Sequence, residues 1–197
     1  MKAGVSMPGG LYYTFSAQGA ETAFYFACYS SSNWSRRSRE EIDKVNMPSD
    51  LTYDPVTRKV YGFFWNDDDQ EYSRFCSISM SSAEAQDIGR GMDRNSFAIA
   101  ANAKGEIYGV WGYTGWLIKV DPKTGNYEQI GRLGVAPGED SNTLTFDDAT
   151  GKLYWTTSED RDSKTGTVTR KAGLYEVNTA TGAATLIRDF DNSESFA

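Results

Sequence analysis

Glu106-Ile107-Tyr108-Gly109, then Leu117-Ile118-Lys119-Val120-Asp121-Pro122-Lys123-Thr124-Gly125, then Ile130-Gly131: these phrases read as strand, strand, turn and strand. The same order occurs on either side. Upstream it is Lys59-Val60-Tyr61-Gly62, Phe75-Cys76-Ser77-Ile78 and Ile88-Gly89; downstream it is Lys152-Leu153-Tyr154-Trp155, Leu174-Tyr175-Glu176-Val177 and Ile187-Arg188. In every copy 13 residues separate the first hydrophobe of the second phrase from the isoleucine, and the tyrosines stand 47 and 46 residues apart. A period of this length, built from short strands and turns, predicts an all-β β-propeller whose repeats are small sheets that cannot bury their faces alone.

The spacing predicts about four blades of four antiparallel strands, at roughly residues 3–46, 47–92, 93–138 and 139–191. The first is degenerate: Leu11 to Phe15 aligns with Lys59 to Phe64, placing Tyr12 opposite Tyr61 in the repeat, and Lys2 to Ser6 is a poor opening strand. Glu194-Ser195-Phe196-Ala197 resembles Asn95-Ser96-Phe97-Ala98, so a larger or open propeller is expected, with two exposed end faces available for self-association.

The turns repeat as well. Asp54 to Arg58, Asp121 to Gly125, Asp148 to Gly151 and Asn178 to Gly182 offer an Asp or Asn that can accept a bond from its own backbone two residues on, with glycine closing three of the four. Calcium ligation is the alternative role for these aspartates, but no turn assembles the alternating acid pattern of a calcium loop, and no metal is expected.

The charge balance excludes one class of partner. With 27 acidic against 20 basic residues and a net charge of −7, the chain lacks the electrostatic footprint of a nucleic-acid binder. The one basic cluster, Arg36-Arg37-Ser38-Arg39, runs directly into Glu40-Glu41 and reads as a solvated turn. No run of about 18 apolar residues predicts a transmembrane helix. Met1 to Pro8 contains no apolar signal core, which leaves a cytoplasmic protein or one whose leader has been removed. Cys28 and Cys76 lie in aromatic strand patterns and are expected to be buried free thiols.

Histidine is absent. That removes Ser-His-Asp triads, Cys-His pairs and imidazole metal sites, leaving carboxylates, Lys, Tyr or a cofactor for any catalysis.

Leu117 to Gly125, echoed at Leu174 to Gly182, resembles the strand-and-turn unit of bacterial quinoprotein-like and surface-layer-type β-propeller repeats, over roughly residues 47 to 191. The resemblance implies a propeller and an extracytoplasmic location. In the quinoprotein family a tryptophan eight positions after the turn Asp docks neighbouring blades. Gln129 stands there in this chain, and the family's cofactor-binding residues are not matched, so no pyrroloquinoline quinone or other cofactor is expected.

The segment between second and third strands varies most, at 14, 9 and 20 residues from Tyr61 to Phe75, Tyr108 to Leu117 and Tyr154 to Leu174. Such tips cluster on one face of a repeat array, where binding residues gather. Trp111 and Trp155 follow the recurrent tyrosine and read as core; Trp65 and Trp116 adjoin the tips and are candidates for stacking on a sugar ring. The expected ligand-binding set is Trp65, Asp68, Tyr113, Trp116 and Asp160. The expected function is a non-catalytic extracytoplasmic binding or interaction module for glycan or protein. The alternative is a glycan-processing enzyme using paired carboxylates from Asp67-Asp68-Asp69 and the Glu159, Asp160, Asp162 cluster.

Overall fold

In the computed structural model the described residues are 3–19, 22–64, 72–93, 96–111, 115–137, 142–158, 160–161, 164–165, 167–170 and 172–190. They form four antiparallel four-stranded sheets arranged as the four blades of a β-propeller. Blade 1 holds β1 (Ala3–Met7), β2 (Leu11–Gln18), β3 (Ala23–Ser30) and β4 (Arg36–Ile42). Blade 2 holds β5 (Pro48–Asp54), β6 (Lys59–Phe64), β7 (Tyr72–Ile78) and β8 (Ala85–Asp93). Blade 3 holds β9 (Ser96–Ala101), β10 (Ile107–Trp111), β11 (Trp116–Val120) and β12 (Tyr127–Arg132). In blade 4, β13 (Asn142–Asp147) and β14 (Lys152–Thr157) are followed by a small ribbon of β15 (Asp160–Arg161) and β16 (Val168–Arg170), then by β17 (Gly173–Val177) and β18 (Ala184–Asp189).

The repeated Ile-Gly phrase is a β-bulge with a docking surface behind it. Phe75 faces Gly89 and Cys76 faces Asp87, so Ile88 is the extra residue; Ile130 and Ile187 are the extra residues in blades 3 and 4 by the same register. The glycine that follows lets the next blade's turn come close. A methyl group on Gly89 would overlap the Thr124 carbonyl oxygen, and one on Gly131 would overlap that of Thr181. Thr124-Gly125 and Thr181-Gly182 are the turns between third and fourth strands of blades 3 and 4, so each glycine seats the turn of the blade after it. Blade 4 has Arg188 at this position.

Three hydrophobic cores join the four blades. Val5, Phe15 and Phe26 meet Leu51, Val60 and Phe64 between blades 1 and 2. Tyr61, Phe63 and Phe75 meet Ile99, Ile107 and Ile118 between blades 2 and 3. Tyr108, Val110 and Leu117 meet Leu153, Trp155 and Tyr175 between blades 3 and 4. Among the described residues no fourth core joins blade 4 to blade 1.

The recurrent tyrosine therefore has a fixed direction: Tyr61 and Tyr108 face the following blade. In blade 1 that place belongs to Tyr13, opposite Val5, which packs into the core with blade 2. Tyr12 is one residue out of register and faces the other way, because side chains alternate along a strand and a shift of one reverses every face. Met47, at the blade 1 to blade 2 connection, is buried in the same core.

Candidate functional site

Inner strands of neighbouring blades lie side by side without a continuous ladder, so their edge N–H groups need other acceptors. Blade 2 supplies them from side chains. Thr52 Oγ1 accepts from the Ala101 N–H at 2.7 Å, and Asp50 Oδ2 accepts from the Ile99 N–H at 3.0 Å. Asp50 Oδ1 accepts from the Leu51 N–H at 2.9 Å, the Leu144 N–H also bonds this carboxylate, and Thr143 Oγ1 stands 3.5 Å from Oδ2. One carboxylate thus ties β5, β9 and β13 together. Asp50 is buried, and burial raises its pKa to about 7 against the lowering effect of those donors.

Around this carboxylate the inner strands of all four blades line a cavity of about 590 Å³. Gly4, Ser6 and Tyr12 enter from blade 1, Thr52 and Tyr53 from blade 2, Asn102 from blade 3, and Thr143, Thr145, Phe146 and Asp148 from blade 4. The Tyr12 hydroxyl lies over Gly4, where a methyl group would overlap it. Burial first, and the Asp50 charge second, raise the Tyr12 phenol pKa. The cavity's volume is in the range of a small-molecule site, which is ordinarily about 300 to 1,000 Å³.

Part of the cavity wall comes from two blade faces that, among the described residues, no core covers. By strand alternation, the face of blade 4 turned away from blade 3 carries Thr143, Thr145, Tyr154, Thr156 and Leu174, none of them fully buried. The opposite end face, on blade 1, carries Ser6, Tyr12, Thr14, Ser16 and Tyr25, likewise part-exposed. Phe15, Phe63 and Val110 are buried against the following blade, and the equivalent residue of blade 4 is Thr156. The bulged isoleucines behave in the same way: Ile88 and Ile130 pack against the next blade's core, while Ile187 is 51% exposed.

The expected site residues lie elsewhere. Trp65, Asp68 and Tyr113 fall outside the described residues, and of Asp160 only the backbone, in β15, is described. Trp116 opens β11 opposite Trp111 and Arg132, half-buried against the core between blades 2 and 3, with the Arg132 guanidinium 5.1 Å from its ring centroid. It sits at the tip end of blade 3. The cavity instead takes in Pro8, Pro55, Asn102 and Asp148, from the turns that join first and second strands at the opposite end. Trp155 is fully buried, and Trp111 is half-buried with its ring edge-on to Tyr127.

Turn aspartates spend their oxygens locally. Asp121 accepts from the Lys123 N–H at 2.9 Å and from Thr124 Oγ1 at 2.8 Å, and Asp147 from the Ala149 N–H at 3.0 Å and Thr150 Oγ1 at 2.6 Å. These bonds hold both carboxyls below their ordinary range. Asn178 accepts from Ala180 and Thr181 in the same way. Cys28 and Cys76 are buried free thiols; Cys76 donates to Asp87, which Arg74 also binds, and burial pushes its pKa up.

Asp50 escaped the sequence reading although a signal existed. The positions equivalent to it in blades 3 and 4 are Ala98 and Thr143, so an acid stands where the repeat otherwise has a small residue on an inner strand.

No family model matches the chain, and no curated protein does either. Solved structures do. A Bacteroides thetaiotaomicron protein of unknown function superposes with a TM-score of 0.64 at 11% identity, over 93% of this chain and 42% of that one. A nidogen/laminin complex gives 0.62 at 14% identity, over 93% and 63%. TolB from Acinetobacter baumannii gives 0.59 at 10% identity, over 98% and 44%. The chain spans less than two thirds of the length of each of these structures. Likeness at these identities establishes the propeller fold, and the chemistry must come from the site.

Proposed function

We propose that the protein is a non-catalytic, extracytoplasmic binding module that takes a saccharide in the cavity lined by its four inner strands. The observation that carries this reading is the set of hydroxyl and amide groups on the cavity wall, from Ser6, Tyr12, Thr52, Asn102, Thr143 and Thr145, beside the aromatic residues Tyr53 and Phe146. Hydroxyls that both donate and accept, next to aromatic rings, suit a ligand with polar edges and apolar ring faces. The extracytoplasmic location rests on the resemblance of the strand-and-turn unit alone.

A glycan-processing enzyme needs two carboxyl groups with oxygens free to meet the glycosidic bond. Asp50 has the raised pKa of an acid catalyst, but its oxygens are held by N–H groups of three strands and by Thr143. This favours a structural carboxylate and a binding cavity. Saturation-transfer NMR with a panel of neutral oligosaccharides tests the reading: at least one is expected to receive transfer, lost in Tyr12→Phe combined with Thr145→Val. No transfer to any sugar, or transfer unaffected by that double variant, would overturn it.

A further inference from the structure

The two end faces and Asp50 place a particular electrostatic character on the cavity. Its described lining contains two carboxylates, Asp50 at depth and Asp148 at the turn end, and among the described lining residues there is no Lys or Arg. Histidine is absent from the chain, and the net charge is −7. An anionic ligand would be desolvated into this site with no cation to receive it, whereas a cationic nitrogen would meet carboxylates, hydroxyls and aromatic faces. We propose that the cavity selects amino sugars with a free, protonated amine over neutral sugars and rejects uronates. This inference rests on the saccharide reading above and adds the charge class of the ligand.

Geometry gives the two acids different parts. Asp50 is committed to β5, β9 and β13 and, with burial raising its pKa to about 7, is mostly uncharged below neutrality, so it is not the free anion that meets a ligand. Asp148 is exposed at the turn after β13, next to Asp147, whose oxygens are taken by Thr150 and Ala149. Asp148 is therefore the acid able to swing onto an ammonium, with Tyr12 and Phe146 among the rings that face the same space. The attraction falls as salt is added, because an exposed pair is screened over about 8 Å at physiological ionic strength.

Calorimetry with three probes of matched length tests this: a glucosamine tetramer, cellotetraose and tetragalacturonate. At low salt the expected order is amine, then neutral, then acid, with the amine tetramer favoured over cellotetraose by about fivefold or more. In Asp148→Asn, and separately in wild type at high salt, that ratio is expected to fall toward one. Equal affinity for the amine and neutral tetramers, or tighter binding of tetragalacturonate, overturns the charge selection and leaves the saccharide reading standing. A preference unchanged by both Asp148→Asn and salt also overturns it. Failure of all three tetramers to bind overturns the saccharide reading and this inference with it.

Discussion

The faces between blades and the faces at the two ends of the array use the same repeat positions for different purposes. Phe15, Phe63 and Val110 are buried against a following blade; Thr156, their equivalent on blade 4, is not. Ala98 and Ala100 face blade 4, while Thr143 and Thr145 at the equivalent places line the cavity. Each interior face joins a continuous core, worth about 1.5 to 3 kcal/mol per fully buried large side chain. The end faces forgo that gain and supply hydroxyls. Five residues of these two faces, Gly4, Ser6, Tyr12, Thr143 and Thr145, line the cavity.

The comparison breaks most severely where backbone meets backbone. Gly131→Ala would drive a methyl group into the Thr181 carbonyl, and neither side can yield without moving a blade, so a loss of about 4 kcal/mol or more is expected by chemical denaturation. Ile187→Ala, one residue from the equivalent position on the uncovered edge, should cost less than about 1 kcal/mol.

Asp50 is the second largest effect, and its sign is the reverse of the usual acid. Its folded pKa of about 7 lies above the ordinary value of 3.8, so between these the folded protein holds a proton that the unfolded chain has released. This contribution to stability is fully present below pH 3.8 and is lost as pH rises through about 7, by up to about 4 kcal/mol. Denaturation midpoints from pH 4 to 8 should show a decline that Asp50→Asn removes. With no histidine in the chain, few other side chains titrate in that window. A flat profile in wild type would show that the donors from Leu51, Ile99 and Leu144 outweigh desolvation.

Exchanging the two kinds of face is the third test. Val110→Thr places a hydroxyl in a sealed core and should destabilise by about 1 to 3 kcal/mol, whereas Thr156→Val on the end face should stay within about 0.5 kcal/mol of wild type. The smallest change concerns Trp116→Ala. The ring is half-buried on the core between blades 2 and 3 and lies beneath Arg132, so a fall in melting temperature corresponding to about 1 kcal/mol is expected.

The propeller was legible because its repeat is carried by residues that packing and turn geometry both constrain. Ile88, Ile130 and Ile187 mark a bulge, the glycines after the first two seat a neighbouring turn, and Asp121 and Asn178 build turns from their own oxygens, as does Asp147, one residue before the Asp148 expected from the sequence. Blade 1 lacks these anchors, which is why Tyr12 stood for Tyr13 in the sequence alignment; adjacent tyrosines give period-2 reasoning nothing to choose between. The cavity was not legible for a different reason. Its wall is assembled from residues such as Ser6, Thr52 and Thr143, each unremarkable on its own strand, and only the arrangement of four blades brings them together. The tips vary in length and so point to a binding face, yet the described cavity takes its rim from the short turns at the other end.

Titration calorimetry of Thr143→Val/Thr145→Val beside wild type, with a neutral oligosaccharide that binds wild type, tests most directly the claim that end-face positions serve the cavity. Both threonines are exposed on the cavity wall, and Thr143 also donates a long bond to Asp50, so affinity is expected to fall about tenfold or more while the melting temperature falls by no more than that one bond is worth, about 1 kcal/mol. Unchanged affinity together with a lowered melting temperature would contradict the account, because these threonines would then belong to the packing of the propeller.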